Sequence, residues 1–225
     1  PTYQELYADG PHVATGLIEI GDRSLGVEKA IGVDVALRRK AGPLSGRIGA
    51  YWNRFRDYIA LVPTGEVDPH EGLPVSAYRA TKATFVGAEA EGKVELGHAG
   101  PGRLDLEVQT DLLRATDETT DHPLPRIAPM RFGAALVWTS DRWRARLEVQ
   151  RVRAQHRVAD GELPTDSYTR VDASLEGRIA IGPAGFVAFL RGTNLADDEM
   201  RNHVSFLKDV APMGRRGLTA GLRGT

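Results

Sequence analysis

Six histidines and no cysteine limit the coordination chemistry open to this chain of 225 residues. Without thiolates, a metal ion is held by imidazole nitrogen and by carboxylate or carbonyl oxygen, donors that zinc and its neighbours accept. The first such group stands in ELYADGPHVATG, residues 5–16, where His12 follows Gly-Pro and Asp9 precedes it by three residues. A Gly-Pro turn would present the imidazole with little conformational freedom left to lose. Asp9 is near enough to share the site or to hold the second imidazole nitrogen, and Glu19 offers a further oxygen donor. The plainer reading is a histidine bonded within its own loop and two solvated acids. Asp121-His122 and His70-Glu71 are candidate accessory pairs for drawing in cations, whereas His156 and His98 read as structural.

Other chemistry is absent from the sequence. There is no Gly-x-Ser-x-Gly, no His-Glu-x-x-His, no glycine-rich phosphate loop and no carboxylate pair on a helix, so an enzyme is not expected and no cofactor is required. A net charge of −1 gives nucleic acid no basic face to bind. The composition, 41% apolar and 26% charged, fits one large folded domain or two small ones. No apolar run approaches the ~20 residues of a membrane helix, a limit that does not apply to β-barrels.

The elements that must position these residues are strands. In VEKAIGVDVALRR, Val27, Ile31, Val33, Val35 and Leu37 face one way and Glu28, Gly32, Asp34 and Arg38 the other. RLDLEVQTDLL, WRARLEVQ and RVDASLEGRIAI repeat that period of two, and no segment carries a convincing 3.6-residue stripe. About nine strands are predicted, at 26–39, 44–60, 76–96, 103–115, 130–139, 142–156, 167–181, 185–194 and 215–223. Several reach the roughly ten residues that a tilted strand needs to cross a bilayer.

The connections alternate in length. KAGPL, GHAGPG, SDR and GPAG are short, while 61–75, 116–129, 157–166 and 195–214 are long. In an antiparallel meander all the long ones emerge at one rim, as in an outer-membrane barrel. Charge sorts in the same way. Segments 1–25, 61–75, 116–129, 156–166 and 195–214 hold 17 of the 30 acidic residues, 5 of the 29 basic ones and five of the six histidines. An acidic, histidine-bearing rim raises the local concentration of cations. Trp52, Tyr58, Trp138, Trp143 and Tyr168 lie near strand ends, where an interfacial aromatic girdle would sit.

PTYQELYADGPHVATGLIEIGDRSLGVEKAIGVDVALR resembles a loop-plus-strand segment of TonB-dependent outer-membrane receptors. ATFVGAEAEG at 83–92 resembles a strand of that family, and TNLADDEMRNHVSFLKDVAPMGRRGLTAGLR its last hairpin. GPHVAT around His12, the run from His203 to Asp209 and Met-Gly-Arg at 213–215 are similar to zinc-uptake receptors of the family. The resemblance implies an all-β fold in the bacterial outer membrane, with lipid around it and energy from the TonB complex through a plug domain. It also implies loop histidines and acids that bind the transported metal, expected to be zinc. His12 fits that pattern, with His203, Asp9 and Glu19 as further candidate ligands. The family barrel has 22 strands and a plug. With nine strands and no plug, residues 1–225 read as the C-terminal part of such a barrel, beginning inside an outer loop. A siderophore or haem receptor of the same family is the alternative within it. A soluble β-rich binding module, its apolar face covered by a second sheet, is the alternative outside it.

Overall fold

Side chains that alternate apolar and polar form a strand only where the two faces meet different surroundings. The computed structural model describes residues 1–181 and 184–224, without the side chain of Ile181, and shows that arrangement on a single sheet. A short helix α1 (Tyr3–Tyr7) precedes strands β1 (Asp9–His12), β2 (Leu17–Ile20), β3 (Ala30–Arg39), β4 (Leu44–Val67) and β5 (Pro74–Ala99). These are followed by β6 (Gly102–Asp117), β7 (His122–Pro123), β8 (Arg131–Thr139), β9 (Trp143–Val152), β10 (Tyr168–Ile181), β11 (Ala184–Thr193) and β12 (Gly217–Gly224). Among the described residues the nine expected strands are all present. They form an antiparallel meander from β3 to β12, with β1, β2 and β7 as short additions.

The two faces differ as the alternation requires. In the middle of the sheet Leu147 is 49% exposed and Leu175 42%, on the face shared with Leu112, Leu136 and Val149. On the other face Val137 and Asp105 are 2% and 1% exposed. That second face is laced with ion pairs. Arg146 reaches Glu107 at 2.5 Å and Glu148 at 2.9 Å, Lys93 reaches Asp105 at 2.9 Å, and Arg131 reaches Asp111 at 3.0 Å. A soluble sandwich would need a second sheet over the leucines, but the described residues make one open sheet. The exposed apolar face therefore suits lipid, and the charged face a watery lumen. Among the described residues no helix is long and apolar enough to cross a membrane, which says nothing of strands.

Turns follow the expected asymmetry. Gly42 and Gly100 take φ of +92° and +59°, left-handed values that these tight turns need and glycine adopts without strain. The GPAG connection includes Gly182 and Pro183, which lie outside the described residues. One long connection is reshaped: 61–75 is mostly strand, because Leu61, Val62 and Pro63 still pair with Tyr78, Ala77 and Ser76 beyond a register shift at Phe55/Tyr58. The hairpin therefore projects past its neighbours, and β2 adds to it in parallel at Val75–Ala77.

The apolar core lies where this projecting hairpin meets a long connection. Ala60, Ala83, Ala115, Leu124 and Ile127 are buried together, with Phe55, Tyr58 and Phe85 edge-to-face around them. This corrects two of the girdle expectations. Tyr58 belongs to that core, and Tyr168 is buried with Val152 and Met200. Trp52 and Trp143 do stand exposed on the apolar face, while Trp138 covers Gly102 and donates its indole N–H to Ala99 O at 2.9 Å.

Candidate functional site

The stretch around His12 is not a Gly-Pro turn. Asp9 to His12 form β1, paired residue by residue with Leu17 to Ile20, and the turn comes after the histidine, closed by Thr15 and Gly16 N–H donating to His12 O. Proline fits there because β1 is an edge strand, which can spare the missing N–H. His12 is thus held by a hairpin, and the hairpin is held by α1. Thr2 caps that helix in a reciprocal box with Glu5, and Gly21 and Asp22 N–H donate to Ala8 O and Glu5 O.

Asp9, His12 and Glu19 line one cleft of about 350 Å³ with Gln4, Tyr3 and Tyr7. His12 Nδ1 lies 3.2 Å from Glu19 Oε1 and 3.1 Å from Thr15 Oγ1, and its side chain is 45% exposed. Glu19, by contrast, is 1% exposed. It accepts from Thr15 Oγ1 at 2.8 Å, Gln4 Nε2 at 2.6 Å and Tyr78 OH at 3.0 Å. Burial alone would raise its pKa, but the bonds from Thr15, Gln4 and Tyr78 together with His12 outweigh burial and lower it. Glu19 is therefore a carboxylate at neutral pH. Of the sequence candidates, the structure places Glu19 rather than Asp9 against the second nitrogen of His12.

His203 stands in different surroundings. It is 2% exposed, with Nδ1 2.9 Å from Thr165 Oγ1 and Nε2 3.2 Å from Glu162 Oε1, a close approach without the alignment of a hydrogen bond. Glu162 also accepts from Lys208 Nζ at 2.8 Å and from the backbone N–H groups of Arg126 at 3.0 Å and Ala159 at 3.2 Å. Burial raises the Glu162 pKa, but His203, then Lys208 and the two backbone donors, prevail and hold it down at about 2. The cluster ties the 157–166 connection to 195–214, and His203 is part of that tie. Glu162 and Lys208 do not stand out in the sequence. The one available signal is that Lys208 is the only lysine in the rim segments, which hold four arginines besides.

The remaining histidines are spread out. His122 Nδ1 meets Asp160 Oδ2 at 2.7 Å, a partner from another connection rather than its neighbour Asp121. The backbone N–H groups of His70 and Glu71 both donate to Asp68 Oδ1, and His156 and His98 are exposed. Among the described residues, no three His, Asp or Glu side chains are grouped to hold a metal ion by themselves.

The electrostatics of the rim follow from what its five basic residues do. Arg23 lies over the Tyr7 ring at 5.2 Å, and Arg126 over Phe206 at 4.1 Å. Arg157 donates to Ala115 O at 2.8 Å, Arg201 to Lys208 O at 2.7 Å, and Lys208 to Glu162. All five are engaged in joining loops to one another or to strand ends, so the acids outnumber the cations they meet. The arrangement can draw cations to a rim where His12, His70, His122 and His156 all reach solvent, His12 alone among them against a buried carboxylate among the described residues.

A family model described as "TonB dependent receptor-like, beta-barrel" matches residues 1–195. Among solved structures, the copper transporter OprC superposes with a TM-score of 0.79 at 16% identity, covering 99% of this chain and 34% of that one. The FrpB iron transporter from Neisseria meningitidis (F3-3 variant) gives 0.64 at 14%, covering 92% and 32%. The ferric-catecholate import receptor Fiu from E. coli K12, in its closed form, gives 0.60 at 13%, covering 96% and 30%. This chain spans about a third of the length of each. At such identities the likeness is one of fold.

Proposed function

This chain belongs to the TonB-dependent receptor β-barrel family of the bacterial outer membrane, transporters rather than enzymes, and from that premise we propose that it forms wall and outer rim of a metal-uptake receptor. Residues 1–225 are the C-terminal part of the barrel, starting in an outer loop. The plug and the remaining strands come from the rest of the receptor, and the TonB complex drives transport through that plug. The cargo is a metal ion, zinc in this reading, taken first at His12. Asp9 lines the same cleft and is a further candidate donor, and water or the rest of the receptor completes the shell.

One observation carries the proposal: His12 is the one histidine of the acidic rim held by a buried carboxylate while half of its ring stays open to solvent. Copper and iron in the names of the similar transporters agree with a metal cargo without selecting zinc. Imidazole and carboxylate donors without any thiol accept zinc, as they also accept divalent copper and iron.

A second reading has its own observation. The rings of Tyr3 and Tyr7 lie 5.0 Å apart, tilted by 35°, beside Arg23 and are exposed, a surface on which an aromatic ferric chelate could lie. Uptake separates the two. Cells carrying the full receptor are supplied with zinc, copper or a ferric catecholate, with and without a working TonB. TonB-dependent zinc accumulation supports the proposal. Accumulation of the ferric catecholate alone favours the second reading, and no receptor-dependent accumulation of any of them overturns both.

A further inference from the structure

Counting donors around Glu19 fixes the state of His12. Thr15 has one hydroxyl hydrogen and three possible acceptors in reach, Glu19 Oε1 at 2.8 Å, His12 Nδ1 at 3.1 Å and His12 O at 3.2 Å. The carboxylate is nearer and charged, so it takes the hydrogen. Thr15 Oγ1 then faces His12 Nδ1 as an acceptor at 3.1 Å, and Glu19 Oε1 faces the same nitrogen as an acceptor at 3.2 Å. Both neighbours of Nδ1 can only accept, so Nδ1 carries the hydrogen. In the neutral ring the lone pair is then on Nε2.

Glu19 cannot easily turn to an ion itself. Oε2 accepts from Gln4 Nε2 and Tyr78 OH, while Oε1 serves Thr15 and His12, so four donors occupy the sites a carboxylate offers. Swinging it toward the cleft would break all four of these interactions at once, for a carboxylate that is itself 1% exposed. The anchors also come from separate elements: Gln4 from α1, Tyr78 from the projecting end of β5, and Thr15 from the β1–β2 turn.

We propose that Glu19 is a positioning residue and not a ligand: it locks His12 in the Nδ1–H form and aims the free Nε2 at the incoming metal. This rests on His12 being the first metal contact. A ligand histidine whose other nitrogen is held by a carboxylate is a common second-shell arrangement. Here the carboxylate is wired to the helix and to the barrel wall, so the order of the whole cleft sets the orientation of one ring. Asp9, with no side-chain hydrogen bond among the described residues, is left as the carboxylate free to join the ion.

The test reads the tautomer directly. The full receptor is labelled with 15N-histidine, placed in lipid nanodiscs at pH 8 and studied by 15N–1H NMR. The His12 signals are identified by their loss in His12→Gln. The expected result is a protonated Nδ1 and an unprotonated Nε2 without metal, with zinc shifting Nε2. In Glu19→Met, which removes the acceptor and frees the Thr15 hydroxyl to donate to Nδ1, that preference should be lost and zinc affinity should fall about tenfold to a hundredfold, while Glu19→Asp recovers part of both. A protonated Nε2 in the metal-free wild type overturns the inference, and that measurement needs no substitution in the buried cluster. An unchanged tautomer in Glu19→Met, which leaves no oxygen acceptor at that position, overturns it too. A locked Nδ1–H with no zinc response at Nε2 instead leaves the lock standing and sinks the metal reading, so the two failures are distinguishable.

Discussion

Replacing Lys208 with methionine keeps most of the side chain's apolar length and removes its charge. Lys208 is 4% exposed, and its ammonium is 2.8 Å from Glu162 Oε1. Without it the Glu162 carboxylate stays buried, keeping the two backbone donors from Arg126 and Ala159 and the His203 ring nearby. Breaking a buried pair at one end costs about 3–5 kcal/mol. The remaining donors place this case at the lower end, about 3 kcal/mol, or roughly 150-fold in an equilibrium at 1.36 kcal/mol per decade. The loss falls on the 157–166 and 195–214 connections, since neither partner belongs to the strand ladder. Hydrogen exchange of the receptor in nanodiscs, read by mass spectrometry, should therefore show up to that acceleration in peptides from these two connections and none in 103–115. Glu162→Gln combined with Lys208→Met should recover much of the protection, because no charge is then left alone. The wild type carries the same signature in pH. The folded pKa of Glu162, about 2, lies below the ordinary 4.5, so its contribution is complete above pH 4.5 and fades as pH falls toward 2. Unchanged exchange in both connections, or uniform loss across the strands, would refute the claim that this cluster is a local tie between loops.

Two further outcomes test the frame around the site. Leu175→Arg puts a charge on the apolar face and should cost about 2–4 kcal/mol near the bilayer midplane, measured by unfolding in lipid. Ser174→Glu points the other way and should be tolerated, because Ser174 stands between Arg146 and Arg191 in register; equal losses would mean that the faces are not lipid and water. For orientation, cysteines at Glu71, Thr120 or Asp160 should react with a membrane-impermeant thiol reagent on whole cells, and those at Ala41 or Ala99 should not. The neighbouring glycines at 42, 72, 100 and 161 have positive φ and would be strained by any side chain. The reverse pattern would contradict the assignment of the long connections to the outer rim.

The strands were legible because period two survives wherever a sheet divides two solvents, as in RLDLEVQTDLL and WRARLEVQ. Connection lengths and the sorting of charge were equally plain, since both follow from which rim a segment occupies. What escaped depends on contacts between distant residues. Gly10-Pro11 read as a turn, but β2 supplies the pairing that keeps it extended. The strand character of 61–75 came from pairing across to 74–81 beyond a bulge, which no local pattern announces. Lys208 and Glu162 are 46 residues apart, so their union was invisible, and His203 looked like an open loop ligand although it is enclosed with them. Tyr58 lies near a strand end, as girdle residues do, yet faces inward because a long connection brings Leu124 and Ile127 against it.

Zinc titration of the full receptor by calorimetry tests the central claim most directly, with His12→Ala compared against His98→Ala at the opposite rim. The account predicts about a tenfold or greater loss of affinity in His12→Ala, the scale of a lost ligand, and none in His98→Ala. Unchanged affinity in His12→Ala, or equal losses in the two variants, would contradict it.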